Sequence, residues 1–547
     1  MKTVPSFEPI MSSRSDWTLA AVIRTRAVTD ADSVFLRVPD DGVHLTFSDT
    51  YDKARRLAHG FMSLGAQPGD RVAIMAANSA DYVLAWFAAS LAGLVEVPIN
   101  TAYSGRFLEH QLRKVQPRLA VIDPTYAEVI TACEPDARSS IEHIRVIAGE
   151  GAQGACKLVN KAGIPARLLN YEDELLAEED IVVGKPRDVG AIFFTSGTTG
   201  LSKGVMMPNA QTHMFAELWR AFPRLSKSDV CATSLPLFHA NAQFMTVYPA
   251  LLAGCTVVLD RRFSASRWAD KMREYGATVT NFLGVMMEFV WKQPAQPSDS
   301  DNSLRCIVAA PTPHGIEAAF CRRFGVEAVV EGFGSTETCS PIASPYGEPR
   351  PAGSCGLLID QFFEVQLADT ESGEEVGIDR VGELCVRPKF PWTCSLGYYG
   401  DEAKTLDVFS NLWWHSGDAM RRDSGGWFYF EGRMNDAIRR KGENISAFEV
   451  EQPISEHPAV HECAVVGVPA GAEAGEDEVM VFVVARTGAT LTPEEIWAWC
   501  AERMPAFAVP RYVRLIEQLP KTSTEKVQKA ALREFGVDAV TADRFGT

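Results

Sequence analysis

Apolar runs of strand length alternate with segments of helix length through the first four fifths of the chain. The runs RVAIMAA, LAVID, IRVIAG, GAIFF, TVVLD and CIVAA are separated by patterns such as SADYVLAWFAASLAG. In that segment Ser79 is a suitable N-cap, and Gly93 stands where a glycine would end the helix. This order of strands and helices is typical of doubly wound α/β sheets.

The pattern changes twice toward the C-terminus. From Phe362 onward, short alternating runs such as FFEVQLADTESGEEVG and GGWFYFEGR predict a β-rich layer of antiparallel strands. After Arg433 the strands and helices indicate a compact α+β unit of ordinary domain size. We therefore predict a large N-terminal domain over residues 1–433 and a small C-terminal domain over residues 434–547, with the boundary in GRMND.

One segment is similar in length to a membrane span. No fixed charge occurs between His239 and Leu259, which is about the distance needed to cross a bilayer. Asn241, Gln243 and Pro249 interrupt it, so we interpret it as a buried helix followed by the short strand CTVVL.

Size and charge limit the classes of function. At 547 residues the chain is longer than one hydrophobic core usually organises, and 46% hydrophobic with 22% charged residues is ordinary for a globular protein. The formal charge of -17 disfavours broad binding to nucleic acid or to an anionic membrane. The 12 cysteines show no zinc-type spacing and are expected to be reduced and mostly buried. Without a secretory pattern at the N-terminus, we expect a cytoplasmic protein.

The stretch FFTSGTTGLSKGVMMPN is the strongest local signal for function. Its glycines let the main chain curl so that several N–H groups point inward, and such a nest of amides with hydroxyls and a lysine holds phosphate oxygens. The candidate residues are Thr195, Ser196, Gly197, Thr198, Thr199, Gly200 and Lys203.

This loop differs from an ordinary P-loop. The spacing GxxxxGK[ST] is absent because Ser202 stands at the second glycine, and VMMP after it is typical of a strand rather than a helix N-terminus. A flexible hairpin without a ligand remains the structural alternative.

TSGTTGLSKGV resembles the phosphate loop of the adenylate-forming superfamily, which includes acyl-CoA synthetases, luciferases and the adenylation domains of peptide synthetases. RRKGENISAFEVE, FAVPRY and LPKTSTEKVQK are most similar to its crotonobetaine/carnitine-CoA ligase-like branch. The resemblance implies an ATP-dependent acid-CoA ligase that uses Mg²⁺, forms an acyl-adenylate with release of pyrophosphate, and transfers the acyl group to coenzyme A.

Other motifs of the superfamily follow in order. In LPLFHA, His239 stands where relatives have a residue that gates the substrate, although a lone histidine is equally compatible with a core position. VAAPTP resembles the segment whose backbone lies against adenine, which implies roles for Ala309, Ala310 and Pro311.

GFGSTET is similar to a motif that usually carries tyrosine where this chain has Phe333. A ring contact with adenine survives that change. The resemblance implies that Thr336 contacts phosphate and that Glu337 holds Mg²⁺, a cation that favours hard oxygen ligands. Gly332, Gly334 and Ser335 complete the expected nucleotide-binding set.

Two further motifs resemble the ribose-binding and hinge segments. WWHSGD places Asp418 where a carboxylate accepts the ribose hydroxyls, and GRMND supplies Arg433 for ribose or phosphate. Asn435 falls at the hinge position, where many relatives have aspartate or lysine, so the energetics of the hinge stay open.

The resemblance assigns the two half-reactions to different parts of the small domain. PKTSTEKVQK aligns Lys526 with the catalytic lysine, and Glu525 replaces a glycine beside it. After rotation about the hinge, KGENIS would line the pantetheine tunnel of coenzyme A through Lys441 and Gly442.

Neither the acid nor the acceptor follows from the motifs. FHANAQF and NFLGVMMEF suit a medium-sized, partly apolar acid, but such residues are often plain core. Transfer to a carrier protein or an amine, and a catalytically silent nucleotide-binding regulator, remain alternatives. A homodimer is common among relatives, and the motifs do not specify an interface.

Overall fold

The predicted alternation of strands and helices is present in the computed structural model. The structure describes residues 2–171, 175–195, 202–369, 372–434, 437–441, 443–470, 476–521 and 527–546. The fold is mixed α/β, with a large N-terminal part that holds two mainly parallel sheets and a smaller C-terminal part with a sheet of its own.

The strands of the described residues are numbered in chain order. They are β1 (Val34–Val38), β2 (Val43–Thr46), β3 (Arg71–Met75), β4 (Val95–Pro98), β5 (Leu119–Ile122), β6 (His143–Val146), β7 (Ala166–Leu168), β8 (Val189–Thr195), β9 (Lys203–Pro208), β10 (Val230–Thr233), β11 (Thr256–Leu259), β12 (Val279–Phe282), β13 (Cys306–Ala309), β14 (Ala328–Val330), β15 (Gly332–Ser335), β16 (Cys339–Ala343), β17 (Ser354–Leu358), β18 (Phe363–Ala368), β19 (Val381–Pro388), β20 (Phe409–Ser410), β21 (Trp413–Arg422), β22 (Trp427–Arg433), β23 (Ala437–Arg440), β24 (Glu443–Ser446), β25 (Val460–Pro469), β26 (Asp477–Ala485), β27 (Tyr512–Leu515) and β28 (Ala542–Asp543).

The helices are numbered in the same way. They are α1 (Leu19–Thr29), α2 (Phe47–Ser63), α3 (Ala80–Leu91), α4 (Gly105–Val115), α5 (Ala127–Thr131), α6 (Ala152–Lys161), α7 (Asn209–Ala221), α8 (Ala240–Ala242), α9 (Tyr248–Ala253), α10 (Trp268–Tyr275), α11 (Gly284–Trp291), α12 (His314–Phe324), α13 (Glu402–Val408), α14 (Ala447–Ser455), α15 (Pro493–Ala501) and α16 (Lys529–Phe535).

Two seven-stranded sheets form the body of the N-terminal part. One has the order β7-β6-β5-β3-β4-β8-β9, and the other has the order β14-β13-β12-β10-β11-β1-β2. Pairing is parallel except at one edge of each sheet, where β8 with β9 and β1 with β2 run antiparallel. Apolar residues fill both sheets and the helices between them, as expected for sheets that are covered on both faces.

The helix predicted in SADYVLAWFAASLAG forms as α3. The Ser79 hydroxyl accepts a hydrogen bond from the Tyr82 backbone N–H at 3.2 Å, which caps the helix. Gly93, with φ of 68°, follows the end of the helix in the left-handed region that favours glycine. The sequence signals that we predicted for the start and the end of this helix are both confirmed.

The antiparallel layer begins earlier than the sequence pattern predicts. Its order is β15-β16-β17-β22-β21-β19-β18, so it starts at Gly332 rather than near Phe362. The first two strands are short: β15 (GFGS) is glycine-rich, β16 (CSPIA) is buried along its whole length, and neither shows an alternation of buried and exposed residues. A sequence pattern therefore detects only the second half of this layer.

The C-terminal part has its own sheet and core. The strands β25-β26-β27-β28 form one sheet, and β23 pairs with β24 in a separate hairpin. Residues such as Ile438, Val450, Val481 and Val513 are buried in a cluster of this region.

Two buried amides join loops at the carboxyl ends of the parallel strands. Asn78, after β3, donates to the carbonyls of Leu235 at 2.9 Å and Asp260 at 3.1 Å, and it accepts from Leu237 N at 2.9 Å. Gln243 donates to Glu96 Oε1 and to Leu237 O, both at 2.8 Å. These bonds connect the two sheets and hold the loop LPLFHA.

The apolar segment from His239 to Leu259 is not one long helix. It consists of α8, a π-helical turn over Gln243–Val247, α9 and strand β11. Within the described part of the chain, no helix is long and apolar enough to cross a membrane.

The cysteines match the expectation of free thiols. All 12 are unpaired by disulfides, and only Cys321 and Cys463 are not fully buried.

We expect Asn78→Ala to lower the free energy of unfolding by about 3 kcal/mol. The change leaves two buried carbonyls and one N–H without the asparagine partner, and each unsatisfied group costs about 1–3 kcal/mol. Urea unfolding of the full chain measures the loss, and Ser79→Ala, which removes one helix cap, is the neighbouring control at about 1 kcal/mol. Equal losses of unfolding free energy in the two variants would contradict the role of Asn78 in connecting the two sheets.

Candidate active site

A cavity of about 660 Å³ lies where the parallel sheets, the antiparallel layer and the β23–β24 hairpin meet. This volume falls within the range typical of ligand sites. Described residues predicted from the sequence line it: Thr195, Lys203, His239, Ala310, Gly332, Gly334, Ser335, Thr336, Glu337 and Lys441.

The described ends of the phosphate loop lie side by side. Thr195 ends β8, Lys203 begins β9, and the two residues are directly opposite in the antiparallel register. Ser196, Gly197, Thr198, Thr199 and Gly200 lie outside the described residues.

Lys203 lies over an aromatic ring that the sequence analysis did not select. Its Nζ is 4.7 Å from the centre of the Tyr398 ring. Burial lowers the pKa of the Lys203 ammonium, and Lys404 nearby lowers it further, while Glu337 acts in the opposite direction. A lysine held in this way offers its charge to an anion in the cavity.

Glu337 stands on the tight turn between β15 and β16. Its Oε1 accepts hydrogen bonds from the hydroxyls of Thr195 at 3.3 Å and Tyr398 at 3.2 Å. Its backbone carbonyl accepts from Gln211 at 3.1 Å and from Ser395 N at 2.8 Å. The turn is therefore fixed from several elements, and its carboxylate is aimed at the end of the phosphate loop.

The glycines of GFGSTET serve close packing in the β15–β16 hairpin. A Cβ on Gly334 would lie 1.8 Å from the Cys339 carbonyl oxygen, so no side chain fits there. Phe333 is absent from the cavity lining, and its ring packs against Phe430 with centroids 5.4 Å apart.

The adenine segment follows β13. Ala309 is the last, buried residue of that strand, Ala310 lines the cavity, and the Ala310–Pro311 peptide bond is cis. Pro311 approaches Gly284, where an added Cβ would lie 2.6 Å from the Pro311 carbonyl oxygen.

The two predicted ribose residues lie opposite each other on neighbouring strands. Asp418 in β21 pairs in register with Arg433 at the end of β22. Asp418 is buried, and its backbone N–H donates to Ser416 Oγ at 3.1 Å. The structure describes the backbone of Arg433 but not its side chain.

A hydrogen-bonded histidine supports the turn before Asp418. Glu383 accepts from Gly417 N at 3.0 Å through one oxygen, and its other oxygen lies 2.8 Å from His415 Nδ1. Cys385 Sγ lies 3.4 Å from the same nitrogen. These three residues are the one described group with the spacing of a metal site, but burial raises the pKa of the Cys385 thiol to about 12, which disfavours a thiolate ligand.

The β23–β24 hairpin of the C-terminal part reaches into the cavity. Arg439, Lys441 and Glu443 line it, and Glu443 Oε1 lies 3.0 Å from His239 Nε2 and accepts from Asn100 at 3.3 Å. Burial lowers the pKa of His239, but the charge and hydrogen bond of Glu443 outweigh burial and raise it above its ordinary value. His239 therefore meets the hairpin and is not a plain core residue.

A second contact joins the C-terminal part to the phosphate loop. The Ser202 N–H donates to Glu449 Oε1 at 2.6 Å, and His110 Nε2 donates to the Ser202 carbonyl at 2.8 Å. Burial raises the pKa of Glu449 to about 7, although the Ser202 bond acts in the opposite direction.

Several predicted residues of the small domain lie outside the described residues. These are Asn435, Gly442, Glu525 and Lys526. The ends of the lysine segment are described: Lys521 and Val527 form a β-bridge, and Lys529 Nζ is 2.7 Å from Glu451 Oε1.

Sequence reasoning missed Tyr398, Glu443, Glu383 and His415. Glu443 and His415 lie within two motifs that the sequence analysis quotes, GENIS and WWHSGD. Membership of these motifs was the signal that could have pointed to the two residues. Tyr398 follows a glycine in SLGYYG, and nothing local relates it to Glu337, 61 residues away in the chain.

The chain is similar to known proteins along most of its length. Residues 23–399 match the model of the AMP-binding enzyme family, and residues 449–526 match the AMP-binding enzyme C-terminal domain. The chain is 30% identical over 495 residues to a crotonobetaine/carnitine-CoA ligase of Salmonella paratyphi B, covering 89% of this chain and 93% of that protein.

Two solved structures share the fold. An o-succinylbenzoate CoA synthetase of Bacillus subtilis is 23% identical with a TM-score of 0.76, covering 95% of this chain and 98% of that one. An amide bond synthetase of Marinactinospora thermotolerans is 22% identical with a TM-score of 0.78, covering 95% and 100%.

We expect Glu443→Gln to lower the pKa of His239 below about 6.5, the ordinary histidine value, because burial then acts without the opposing charge. In the wild type the raised pKa means that the ion pair is complete below about pH 6.5 and is lost as pH rises through the pKa of docked His239. Nuclear magnetic resonance of labelled histidine side chains follows this titration.

The control is Glu456→Gln, which removes a surface pair with Arg106 elsewhere between the two parts. This variant should leave the titration of His239 unchanged. A His239 pKa that is the same in Glu443→Gln and the wild type would contradict the contact.

Proposed function

The chain belongs to the family of AMP-binding enzymes and is an acid-thiol ligase of the AMP-forming acyl-CoA synthetase type, and we propose that it works in two half-reactions. In the first, a carboxylate oxygen of the acid attacks the α-phosphorus of ATP, the bond to the β-phosphate oxygen breaks, and pyrophosphate leaves. In the second, the thiol of coenzyme A attacks the acyl carbon and AMP leaves, while the thiol proton passes to solvent.

One observation carries the proposal. Lys203, Glu337 and the β23–β24 hairpin line the same cavity, although they come from three distant parts of the chain. Two anions must meet in the first half-reaction, so the site needs preorganised positive charge in a place from which water is excluded. We assign Lys203 to the departing phosphates and Lys526 to the bond between carboxylate and α-phosphate.

The site offers suitable ligands for Mg²⁺. This cation prefers hard oxygen donors and leaves coordination positions for substrate phosphates. Glu337 supplies a carboxylate that the Thr195 and Tyr398 hydroxyls orient. When bound, the cation would neutralise phosphate charge; Thr336, next along the turn, would contact a phosphate oxygen.

Nucleotide recognition would use the remaining predicted positions. Asp418 would accept the ribose hydroxyls, and its partner across the strands, Arg433, would contact ribose or phosphate. The backbone at Ala310, which lines the cavity, would lie against adenine.

The second half-reaction would use the arrangement seen in the structure. The hairpin that carries Lys441 reaches the cavity and is held there by the contact between Glu443 and His239. We propose that pantetheine passes beside this hairpin at Gly442. Rotation of the small domain, residues 434–547, about Asn435 would then replace the hairpin by Lys526 for the first half-reaction.

Other acceptors of the acyl group are the main competing function. The fold is shared with an enzyme named as an amide bond synthetase, so transfer to an amine is tested beside transfer to the thiol. Incubation with ATP and acid in the presence of coenzyme A, and of amines in its place, separates the two by the product formed. The crotonobetaine and carnitine of the relative's name belong in the same acid panel.

We expect Lys526→Ala to slow acid-dependent pyrophosphate release by about 10²–10³, the usual cost of one preorganised donor. Synthetic acyl-adenylate with coenzyme A should still give thioester, because the second half-reaction does not use this lysine. Lys529→Ala, which removes the pair with Glu451, is the matched control and should retain pyrophosphate release. Release at the wild-type rate in Lys526→Ala would refute the assignment.

We expect Gly442→Phe to abolish thioester formation while acid-dependent exchange of pyrophosphate into ATP persists. The bulky side chain would obstruct the pantetheine passage without touching the first half-reaction. Gly442→Ala provides a graded control with a smaller obstruction. Equal loss of both half-reactions in Gly442→Phe would contradict the separate use of the hairpin.

A further inference from the structure

The lining of the cavity contains both charged and apolar side chains. Most of its charged side chains belong to β9, the Glu337 turn, α13, β19 and the β23–β24 hairpin. The lining also contains Phe215 and Trp219 of α7, Leu235 after β10, Met245 and Leu283. We call these five residues the apolar half of the lining, and His239, which also lines the cavity, contacts the hairpin through Glu443.

Trp219 lines the cavity and is the most deeply anchored residue of the apolar half. Its side chain is 1% exposed, and its Nε1 donates to Ser340 Oγ at 3.1 Å, which satisfies the indole N–H. The ring of Phe222 packs edge-on behind it, with centroids 6.1 Å apart, and Phe7 packs against Phe222. The indole is therefore held between the cavity and an apolar layer.

Gly332 sets how closely this wall approaches the cavity. A Cβ at residue 332 would lie 2.8 and 2.9 Å from two ring carbons of Trp219, and 3.1 Å from the Ile342 carbonyl oxygen. The indole thus lies where the Cβ atom of any other residue at position 332 would clash with it. The pair of Trp219 and Gly332 fixes the depth of the apolar half.

Among the described residues, the apolar half includes no counter-ion for a charged substrate tail. Among the described side chains, Glu217 lies on α7 between Phe215 and Trp219, but it is absent from the lining and is paired with Arg220 at 2.8 Å. Glu96 is also buried away from the cavity and is bonded to Gln243. A cation or a second carboxylate placed here would lose its water without gaining a partner.

We propose that the acid is a monocarboxylic acid with an uncharged, apolar tail of medium length, and that Trp219, seated on Gly332, is the residue that limits this length. The inference rests on the proposed function and specifies its substrate class. It disfavours acids with a quaternary ammonium group, because Phe215 and Trp219 are the two aromatic rings of the apolar half and none of its five residues supplies a carboxylate.

The first test compares two acids of nearly the same shape. In 4-(trimethylammonio)butanoate a quaternary nitrogen occupies the position that a quaternary carbon occupies in 5,5-dimethylhexanoate. We expect wild-type pyrophosphate release to favour the neutral acid in kcat/KM by at least about tenfold, because the charged tail is desolvated without compensation. Equal values, or a preference for the cation, would overturn the inference while leaving the ligase function intact.

The second test changes the space available to the tail of the acid, with substitutions that enlarge it at Trp219 and one that reduces it at Gly332. Straight-chain acids from butanoate to dodecanoate are compared in the wild type, Trp219→Ala, Trp219→Phe and Gly332→Ala. One methylene in an apolar pocket is worth about tenfold or more in kcat/KM. We therefore expect the ratio of longer to shorter acids to rise at least about tenfold in Trp219→Ala, to rise less in Trp219→Phe, and to fall in Gly332→Ala.

Ratios between acids cancel any effect of a variant on ATP binding or on the amount of folded enzyme. Unchanged length profiles in Trp219→Phe and Gly332→Ala would overturn the role of Trp219, even if Trp219→Ala did not fold. Failure of the wild type to release pyrophosphate with any acid would instead refute the proposed function itself.

Discussion

Buried hydrogen bonds between the two parallel sheets are the constraint on which the site depends. Asn78 and Gln243 hold the loop LPLFHA at the carboxyl ends of the strands, where open α/β sheets place their ligands. This loop carries His239, whose side chain contacts Glu443 of the C-terminal hairpin. The contact of His239 with Glu443 between the two parts of the chain therefore depends on hydrogen bonds inside the larger part.

The distribution of charge in the cavity follows from the chemistry proposed for it. A carboxylate and a triphosphate repel each other, so lysines and a carboxylate suited to Mg²⁺ gather at the phosphate end. The hydroxyls of Thr195 and Tyr398 hold Glu337 without adding charge. The acid's tail takes no part in bond making, and the wall beside Trp219 can exclude water by packing alone. In this proposal, one cavity combines charged side chains for the nucleotide with apolar side chains for the tail of the acid.

Local patterns predicted much of the fold because they depend on neighbours in the chain. The capped helix α3, the strands of the parallel sheets and the interrupted segment after His239 all follow from residues within a few positions of one another. The start of the antiparallel layer did not, because the glycine-rich β15 and the fully buried β16 are short strands without alternation. Their pairing is set by the close approach of Gly334 to Cys339, which no periodicity reveals. The predicted roles of Ser196, Gly442 and Lys526 stay predictions, since those residues lie outside the described part of the chain.

The sequence by itself determined the class of chemistry, since motifs such as TSGTTGLSKGV and GFGSTET concentrate amides, hydroxyls and charges within short stretches. Only the tertiary structure decided which distant side chains complete those motifs. Tyr398 reaches Glu337, Glu443 reaches His239, and Trp219 closes against Gly332. Each of these pairs joins residues far apart in the chain, so its distance is set by the packing of whole sheets and helices.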